Sequence, residues 1–258
     1  MYETQLKDMI EAAKIAQKVI LKVYAEHFKV KIKDDNSPVT LADITADKKI
    51  KKYLQKRYPN YGFLTEESKD DESRLNKDYV FIIDPLDGTS DFVAKNNEFT
   101  TNIALCYKHE IVVGVVLIPV SNVCYYAIQG QGSYKIENGK TKRIHVSDKT
   151  DKLTCLVSRS HMSDADKVMI EKHKDKITKV EPYGSSLKAC KIAEGLAEIS
   201  YRNSAGTKEW DTAAFDIIVK EAGGLVVKPD GENIKYNRVN VKNLEGYIIV
   251  NKKENILL

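Results

Sequence analysis

An uninterrupted apolar run, Tyr79-Val80-Phe81-Ile82-Ile83, stops against Asp84-Pro85-Leu86-Asp87-Gly88-Thr89, and no other stretch constrains the chain as much. The run has the length and the aromatic and β-branched content of a buried strand. Proline lacks the N–H that a strand ladder uses, so the spacing predicts that the strand ends at Asp84. Asp84 and Asp87 then stand together at a strand's carboxyl edge. Like charges held that close repel unless a cation lies between them, and oxygen-only ligands favour a hard ion such as Mg²⁺. Gly88 and Thr89 follow at once, offering backbone N–H groups and a hydroxyl to phosphate oxygens. A plain turn would use the same residue types. An EF-hand does not fit: counted from Asp84, the place of its bidentate glutamate falls on Lys95, and the glycine comes one residue early.

Further acidic positions supply context. Glu66-Glu67 follows the short apolar segment Tyr61-Gly62-Phe63-Leu64-Thr65, and Asp211 lies in Glu209-Trp210-Asp211-Thr212-Ala213-Ala214 at the start of a helical pattern. Each has a plainer reading. Glu66 and Glu67 open a run with Asp70, Asp71 and Glu72 that suits a solvated loop, and Asp211 suits a helix N-cap. Asp43, in Val39-Thr40-Leu41-Ala42-Asp43, equally suits a cap of the helix that runs toward Tyr58.

In order and spacing, Thr65-Glu66-Glu67-Ser68, Asp84-Pro85-Leu86-Asp87-Gly88-Thr89 and Trp210-Asp211-Thr212-Ala213-Ala214 resemble the three signature motifs of the inositol monophosphatase superfamily. These are lithium-sensitive, magnesium-dependent phosphatases, and the resemblance runs from the first helix to near the end of the chain. It implies two or three Mg²⁺ ions held by Glu66, Asp84, the Leu86 carbonyl, Asp87 and Asp211, with Glu67 the second choice beside Glu66. Val39–Asp43 resembles a further family element, whose aspartate pairs with the motif threonine to activate water. Here the pair is Asp43 and Thr89, with Glu66 assisting, and Gly88, Thr89 and Asp211 would also meet the substrate. Phosphoryl transfer needs negative oxygens neutralised, a water made nucleophilic and a leaving oxygen stabilised, and paired metal ions can do all three. No covalent nucleophile is required and none is evident, since the five His and four Cys form no close cluster and there is no G-x-S-x-G elbow. The absence of a Walker A loop and of a G-x-G-x-x-G fingerprint argues against NTP hydrolysis and dinucleotide binding.

Substrate choice falls to the second half. Ser158-Arg159-Ser160-His161 follows the apolar strand Leu153-Thr154-Cys155-Leu156-Val157, and Gly184-Ser185-Ser186-Leu187-Lys188 opens a helical pattern ending near Glu194-Gly195. A cation, a hydroxyl and a helix start suit a second anionic group, although a solvated lysine and a structural histidine would look the same. With Ala193-Glu194-Gly195 and Tyr201-Arg202, these segments resemble the 3′(2′),5′-bisphosphate nucleotidase branch, which acts on 3′-phosphoadenosine 5′-phosphate and so belongs with sulfur assimilation. The resemblance implies that His161, Ser185, Lys188 and Arg202 contact the 5′-phosphate or ribose, with the 3′-phosphate on the metals and AMP and phosphate as products. The stretch from Arg202 to Glu209 lacks the proline-containing pattern of many bacterial members. Inositol monophosphate or another sugar phosphate therefore stays open as substrate. A non-enzymatic anion-binding protein is the alternative of another class, against which the intact set Glu66, Asp84, Asp87 and Asp211 argues.

A chain of 258 residues can build one large unit or two tightly joined lobes. Leu6, Ile10, Ala13, Ile20 and Val23-Tyr24 predict an amphipathic first helix, and a second spans about Ala42 to Tyr58 before Pro59-Asn60. Thr100–Tyr107, Ile111–Ile118 and Val123–Ile128 read as an antiparallel meander with Gly130-Gln131-Gly132 as a turn. After about Lys142 the pattern alternates strand and helix. The expectation is a single phosphatase unit over 1–258, with a metal-binding lobe of about 1–142 and a substrate-binding α/β lobe of about 143–258. The family's α+β architecture, a layered α/β/α/β/α sandwich of the inositol monophosphatase and fructose-1,6-bisphosphatase type, accommodates both, with the metals where they meet. A net charge of +4 without dense basic blocks argues against a nucleic-acid partner. Four Cys without CxxC spacing, no signal peptide and no apolar run long enough for a membrane span point to a reduced cytoplasmic enzyme with core thiols. Its expected partner is a small phosphorylated nucleotide, with a homodimer open.

Overall fold

The computed structural model describes residues 1–33 and 38–257. The chain opens with α1 (Glu3–Ala25), the short antiparallel pair β1 (Val30–Ile32) and β2 (Pro38–Thr40), and α2 (Leu41–Arg57). It continues with β3 (Gly62–Thr65), β4 (Tyr79–Asp87), α3 (Thr89–Val93), β5 (Thr100–Tyr107), β6 (Glu110–Ile118), β7 (Val123–Ile128), β8 (Gly132–Glu137) and β9 (Lys140–Ile144). The remainder forms β10 (Leu153–Ser158), α4 (Asp164–Lys172), β11 (Ile177–Tyr183), α5 (Leu187–Ala193), β12 (Ile199–Arg202), α6 (Glu209–Glu221), β13 (Leu225–Val227) and β14 (Tyr247–Val250).

Side-chain alternation along the strands assigns the layers. β3 to β9 bond in chain order into a seven-stranded sheet, parallel between β3 and β4 and antiparallel thereafter. On one face Phe81, Ile83, Ile103 and Leu105 cluster with Met9, Ala13, Ile20, Ile50 and Leu54 of α1 and α2. On the other, Val80, Ile82, Ala104 and Cys106 cluster with α5 and α6. Burial on both faces is why β4 reads as a continuous apolar run rather than an alternating one. Each fully buried Ile, Leu or Phe stabilises by roughly 1.5–3 kcal/mol, so these two interfaces hold the sheet in place. α6 lies so close to β6 that a Cβ at Gly114 would overlap the Ala214 carbonyl oxygen.

The second sheet has the order β11-β10-β12-β14-β13, with β10 parallel to β11 and β12, and β14 antiparallel to β12 and β13. Leu153, Cys155 and Val157 pack with Met169 and Ile170 of α4, whereas Leu156, Val226 and Ile249 face the cluster that contains α5 and α6. The order is helices, sheet, helices, sheet, helix, which is the α/β/α/β/α sandwich of an α+β protein.

Three local expectations are corrected. β4 does not end at Asp84 but runs to Asp87, and its register against β5 shifts between Asp84, opposite Asn102, and Asp87, opposite Thr100. Pro85 sits in that bulge, where no ladder bond uses its nitrogen and where its carbonyl accepts from Thr101 Oγ1 at 3.0 Å. The meander is longer than expected: the turn at residues 129–131 leads into β8, and Asn138 and Gly139, at φ of 51° and 73°, make the two-residue turn into β9. The strand–helix alternation stops after α6, since β13 and β14 follow with no helix between them. The chain passes between the sheets from Ile144 to Leu153.

Candidate active site

The bulge of β4 aims Asp84 and Asp87 toward the first turn of α6. Asp211, the third residue of that helix, receives the Lys208 backbone N–H at 2.6 Å, so it caps from inside the turn and Lys208 occupies the N-cap position. Buried Glu209 ties down the same turn, accepting from Asn237 N at 2.6 Å, Arg238 N at 2.8 Å and Arg238 Nε at 3.1 Å. One carboxylate oxygen from each of Asp84, Asp87 and Asp211 lies within 4.8 Å of the others. Burial raises the pKa of all three, and for Asp84 and Asp211 the neighbouring carboxylates raise it well above the ordinary range. Asp87 is partly relieved by the Lys188 charge and by Asn102 Nδ2 at 3.1 Å and Ser186 Oγ at 3.0 Å. Buried Asp84 and half-buried Asp87 and Asp211, beside the Leu86 carbonyl, form an all-oxygen donor set, which fits a hard divalent cation such as Mg²⁺.

Glu66 follows β3, which runs parallel to β4, and donates its N–H to the Ile83 carbonyl at 3.2 Å. Its carboxylate opens on the same cavity and its charge helps raise Asp84, yet it stands outside the group of three. Lys33, which the sequence did not single out, donates to Glu66 Oε1 at 2.9 Å and also to Glu67 Oε1. Burial pushes the Glu67 carboxyl up to about 7 against the pull of that ammonium. For Lys33 itself burial lowers the pKa, but the two glutamates outweigh it and the net shift is upward.

Behind the cavity wall, Thr89 Oγ1 donates to Asp43 Oδ1 at 2.9 Å, while Asp43 Oδ2 accepts from Thr40 N at 2.8 Å and Thr40 Oγ1 at 2.6 Å. Asp43 thus does both things the sequence allowed: it completes the capping box of α2 and it holds Thr89. Burial raises its pKa, and these hydrogen bonds oppose the rise. Gly88, at φ of 90°, turns the chain from β4 into α3.

The rest of the cavity wall, which carries its cations, is built by the second half. Ser185 is left-handed at φ of 46°, and its hydroxyl oxygen is buried without a partner among the described residues. Lys188 Nζ donates to the Ser185 carbonyl at 2.8 Å and the Tyr183 carbonyl at 3.3 Å, leaving one ammonium proton toward the cavity. Burial lowers the Lys188 pKa, opposed by the Asp87 charge. Arg202, at the end of β12, donates to the His161 carbonyl, and its Nε is buried without a partner among the described residues. Burial and then the Arg202 charge push the His161 imidazole down, so it is neutral near pH 7.

One cavity of about 420 Å³ joins both ends. Every site residue expected from the sequence lines it except Asp43, which reaches it through Thr89. Sequence reasoning missed Lys33, Asn102 and Ser186, and also Asp91 and Tyr247 on the wall. A sequence signal existed for Ser186, which lies within the Gly184–Lys188 segment already in view, and for Asp91, which follows the Asp84–Thr89 motif.

A layered fold with an acidic strand-end motif facing a helix N-terminus is the framework of a metal-dependent phosphatase. The chain belongs to the inositol monophosphatase family, which matches it over residues 2–257. It is 38% identical over 234 residues to the 3′(2′),5′-bisphosphate nucleotidase CysQ of Salmonella typhimurium, covering 90% of this chain and 93% of the relative. It is 36% identical to the protein of the same name from Buchnera aphidicola, covering 92% and 89%. Among solved structures, CysQ from Bacteroides thetaiotaomicron superposes with a TM-score of 0.85 at 33% identity, covering 98% of this chain and 99% of the other. An IMPase from Thermotoga maritima gives 0.82 at 26% identity, covering 96% and 92%. Among the described residues no helix is long and apolar enough to cross a membrane.

Proposed function

We propose that this phosphatase is a 3′(2′),5′-bisphosphate nucleotidase that removes the 3′-phosphate of 3′-phosphoadenosine 5′-phosphate, yielding AMP and phosphate. The observation that carries the reading is a single cavity lined by two groups of opposite charge, the Asp84, Asp87 and Asp211 carboxylates and Lys188 and Arg202 with His161 beside them. Such a cavity matches a substrate with two anionic groups better than one with a single phosphate. The names of the relatives support the same choice. Buried free thiols at Cys106, Cys124, Cys155 and Cys190 fit a reducing compartment such as the cytoplasm.

Glu66, Asp84, the Leu86 carbonyl, Asp87 and Asp211 are the groups that would hold Mg²⁺. When bound there, divalent cations supply charge neutralisation for phosphate oxygens and make water a better nucleophile. The chain's own residues do the rest. Asp43 engages the Thr89 proton, so the Thr89 oxygen offers its lone pairs to a water in the cavity and orients it. Raised by burial, the Asp43 carboxyl is a better base than an exposed aspartate and can take the proton that Thr89 relays. Gly88 and Thr89, which line the cavity, would offer N–H groups to the phosphate to be cleaved, while Lys188 and Arg202 would bind the second phosphate and the neutral His161 add a hydrogen bond.

The test compares phosphate release from the adenosine bisphosphate, inositol monophosphate and fructose 1,6-bisphosphate, with Mg²⁺ and with EDTA. The expected result is the highest kcat/KM for the adenosine bisphosphate, abolished by EDTA. A preference for inositol monophosphate would make the protein an inositol monophosphatase, and binding without turnover would make it an anion-binding protein.

A further inference from the structure

We propose that the Glu98–Arg159 ion pair, neither member of which lines the cavity, is a positioning clamp for the second-anion end of the site. The inference rests on the two-anion reading above. Glu98 lies between α3 and β5, and Arg159 follows β10, so the pair joins segments 61 residues apart. The contact is bidentate, Arg159 Nε to Glu98 Oε2 at 2.8 Å and Arg159 Nη2 to Oε1 at 2.7 Å. The same guanidinium donates to the Pro182 carbonyl at 2.9 Å, and the Arg159 N–H to the Tyr183 carbonyl at 3.2 Å. Glu98 Oε2 also accepts the Gly184 N–H at 2.7 Å.

Gly184 is seated against this acid from two sides. A Cβ there would overlap Asp91 Oδ2 and approach the Glu98 carbonyl oxygen to 2.7 Å, so only glycine fits. The clamp therefore sets the backbone on both sides of Gly184, namely Tyr183 and Ser185, whose carbonyls are the two partners of Lys188 Nζ. The other side of the turn is held independently. Ser186 is pinned by Asn102 Nδ2 at 2.9 Å and donates to Asp87 at 3.0 Å. Loosening Glu98 or Arg159 thus frees Ser185 and Lys188 while the carboxylate end stays in place. The Arg159 side chain is 39% exposed and that of Glu98 18%, so solvent screens the pair in part and its loss should cost less in global stability than in positioning.

Glu98→Ala and Arg159→Ala should raise KM for the adenosine bisphosphate about tenfold, leave kcat within about twofold, and leave kcat/KM for inositol monophosphate unchanged. Their Tm should stay within about 3 °C of the parent. Arg159→Lys keeps the charge but loses the fork and should recover only part of the effect. Glu98→Gln, which can still accept the Gly184 N–H, should fall between parent and Glu98→Ala and serves if the alanine variant does not fold. Hydrogen exchange at the Gly184 amide, measured on substrate-free protein, should speed up in Glu98→Ala. An unchanged KM for the bisphosphate in these variants, an equal loss for all substrates, or unchanged Gly184 exchange overturns the clamp. If the parent shows no bisphosphate preference, the substrate reading fails instead, and the Gly184 exchange alone decides the clamp.

Discussion

The two ends of the cavity make the same kind of compromise with opposite charge. At one, burial pushes the Asp84, Asp87 and Asp211 carboxyls up; at the other, it pushes the Lys188 ammonium and the His161 imidazole down. A low-dielectric wall disfavours ions of either sign, so the proposed function gives each group a counter-ion from outside, a cation for the first and an anion for the second. They are not independent, because the Asp87 charge supports Lys188 and the Lys188 charge eases Asp87. They differ in construction. The acidic end sits on a strand bulge and a helix start, while the basic end sits on the Ser158–His161 segment, the turn before α5 and the tip of β12.

The comparison breaks most decisively at the acidic end. Asp84→Asn or Asp87→Asn should lower turnover by more than about 100-fold, since each removes a proposed metal ligand. In EDTA, Tm should hold or rise, because the carboxylates no longer repel. Activity near the parent's would remove these residues from the site. At the basic end, Lys188→Ala should raise KM for the adenosine bisphosphate by an amount worth about 1.5–3 kcal/mol, with little change for inositol monophosphate. Equal effects on both substrates would mean that Lys188 does not read the second anion.

Asp216, in the middle of α6, supplies the contrast of a buried carboxylate outside the cavity. It pairs with Lys220 Nζ at 2.9 Å, its Oδ1 is buried without a partner among the described residues, and burial pushes its carboxyl up to about 6 from 3.8. Between those values the folded protein keeps a proton that the unfolded chain releases, so stability falls as pH rises through the window and stays lowered above it. Asp216→Asn should therefore gain stability relative to the parent by on the order of 1 kcal/mol more at about pH 8 than at about pH 5, read from denaturation midpoints, with activity retained. A pH-independent difference would sink the assignment.

The smallest effect belongs to His161. His161→Ala should raise KM for the bisphosphate about threefold near pH 7, where the imidazole contributes only a neutral hydrogen bond. Acidification through its lowered pKa adds positive charge beside the second anion, so KM should fall with pH in the parent and not in the variant. Matching pH profiles would place His161 in a structural role.

Much of this was legible in the chain because it is short-range chemistry. Apolar runs and turn residues marked individual helices and strands, the resemblance of three acidic motifs to a known family implied the layered fold and the carboxylate set, and the capping of α2 by Thr40 and Asp43 is decided within four residues. Even so, the bulge that carries β4 through Pro85 depends on its pairing with β5, and local preference alone predicted a stop. Only the tertiary structure decided that Lys33 lies against Glu66, that Ser186 supports Asp87 across 99 residues, and that Glu98 grips Gly184 across 86. Such contacts leave no period or spacing in the sequence. They exist because packing two sheets against one helix layer brings distant turns to a shared edge, where burial obliges each polar group to find a partner.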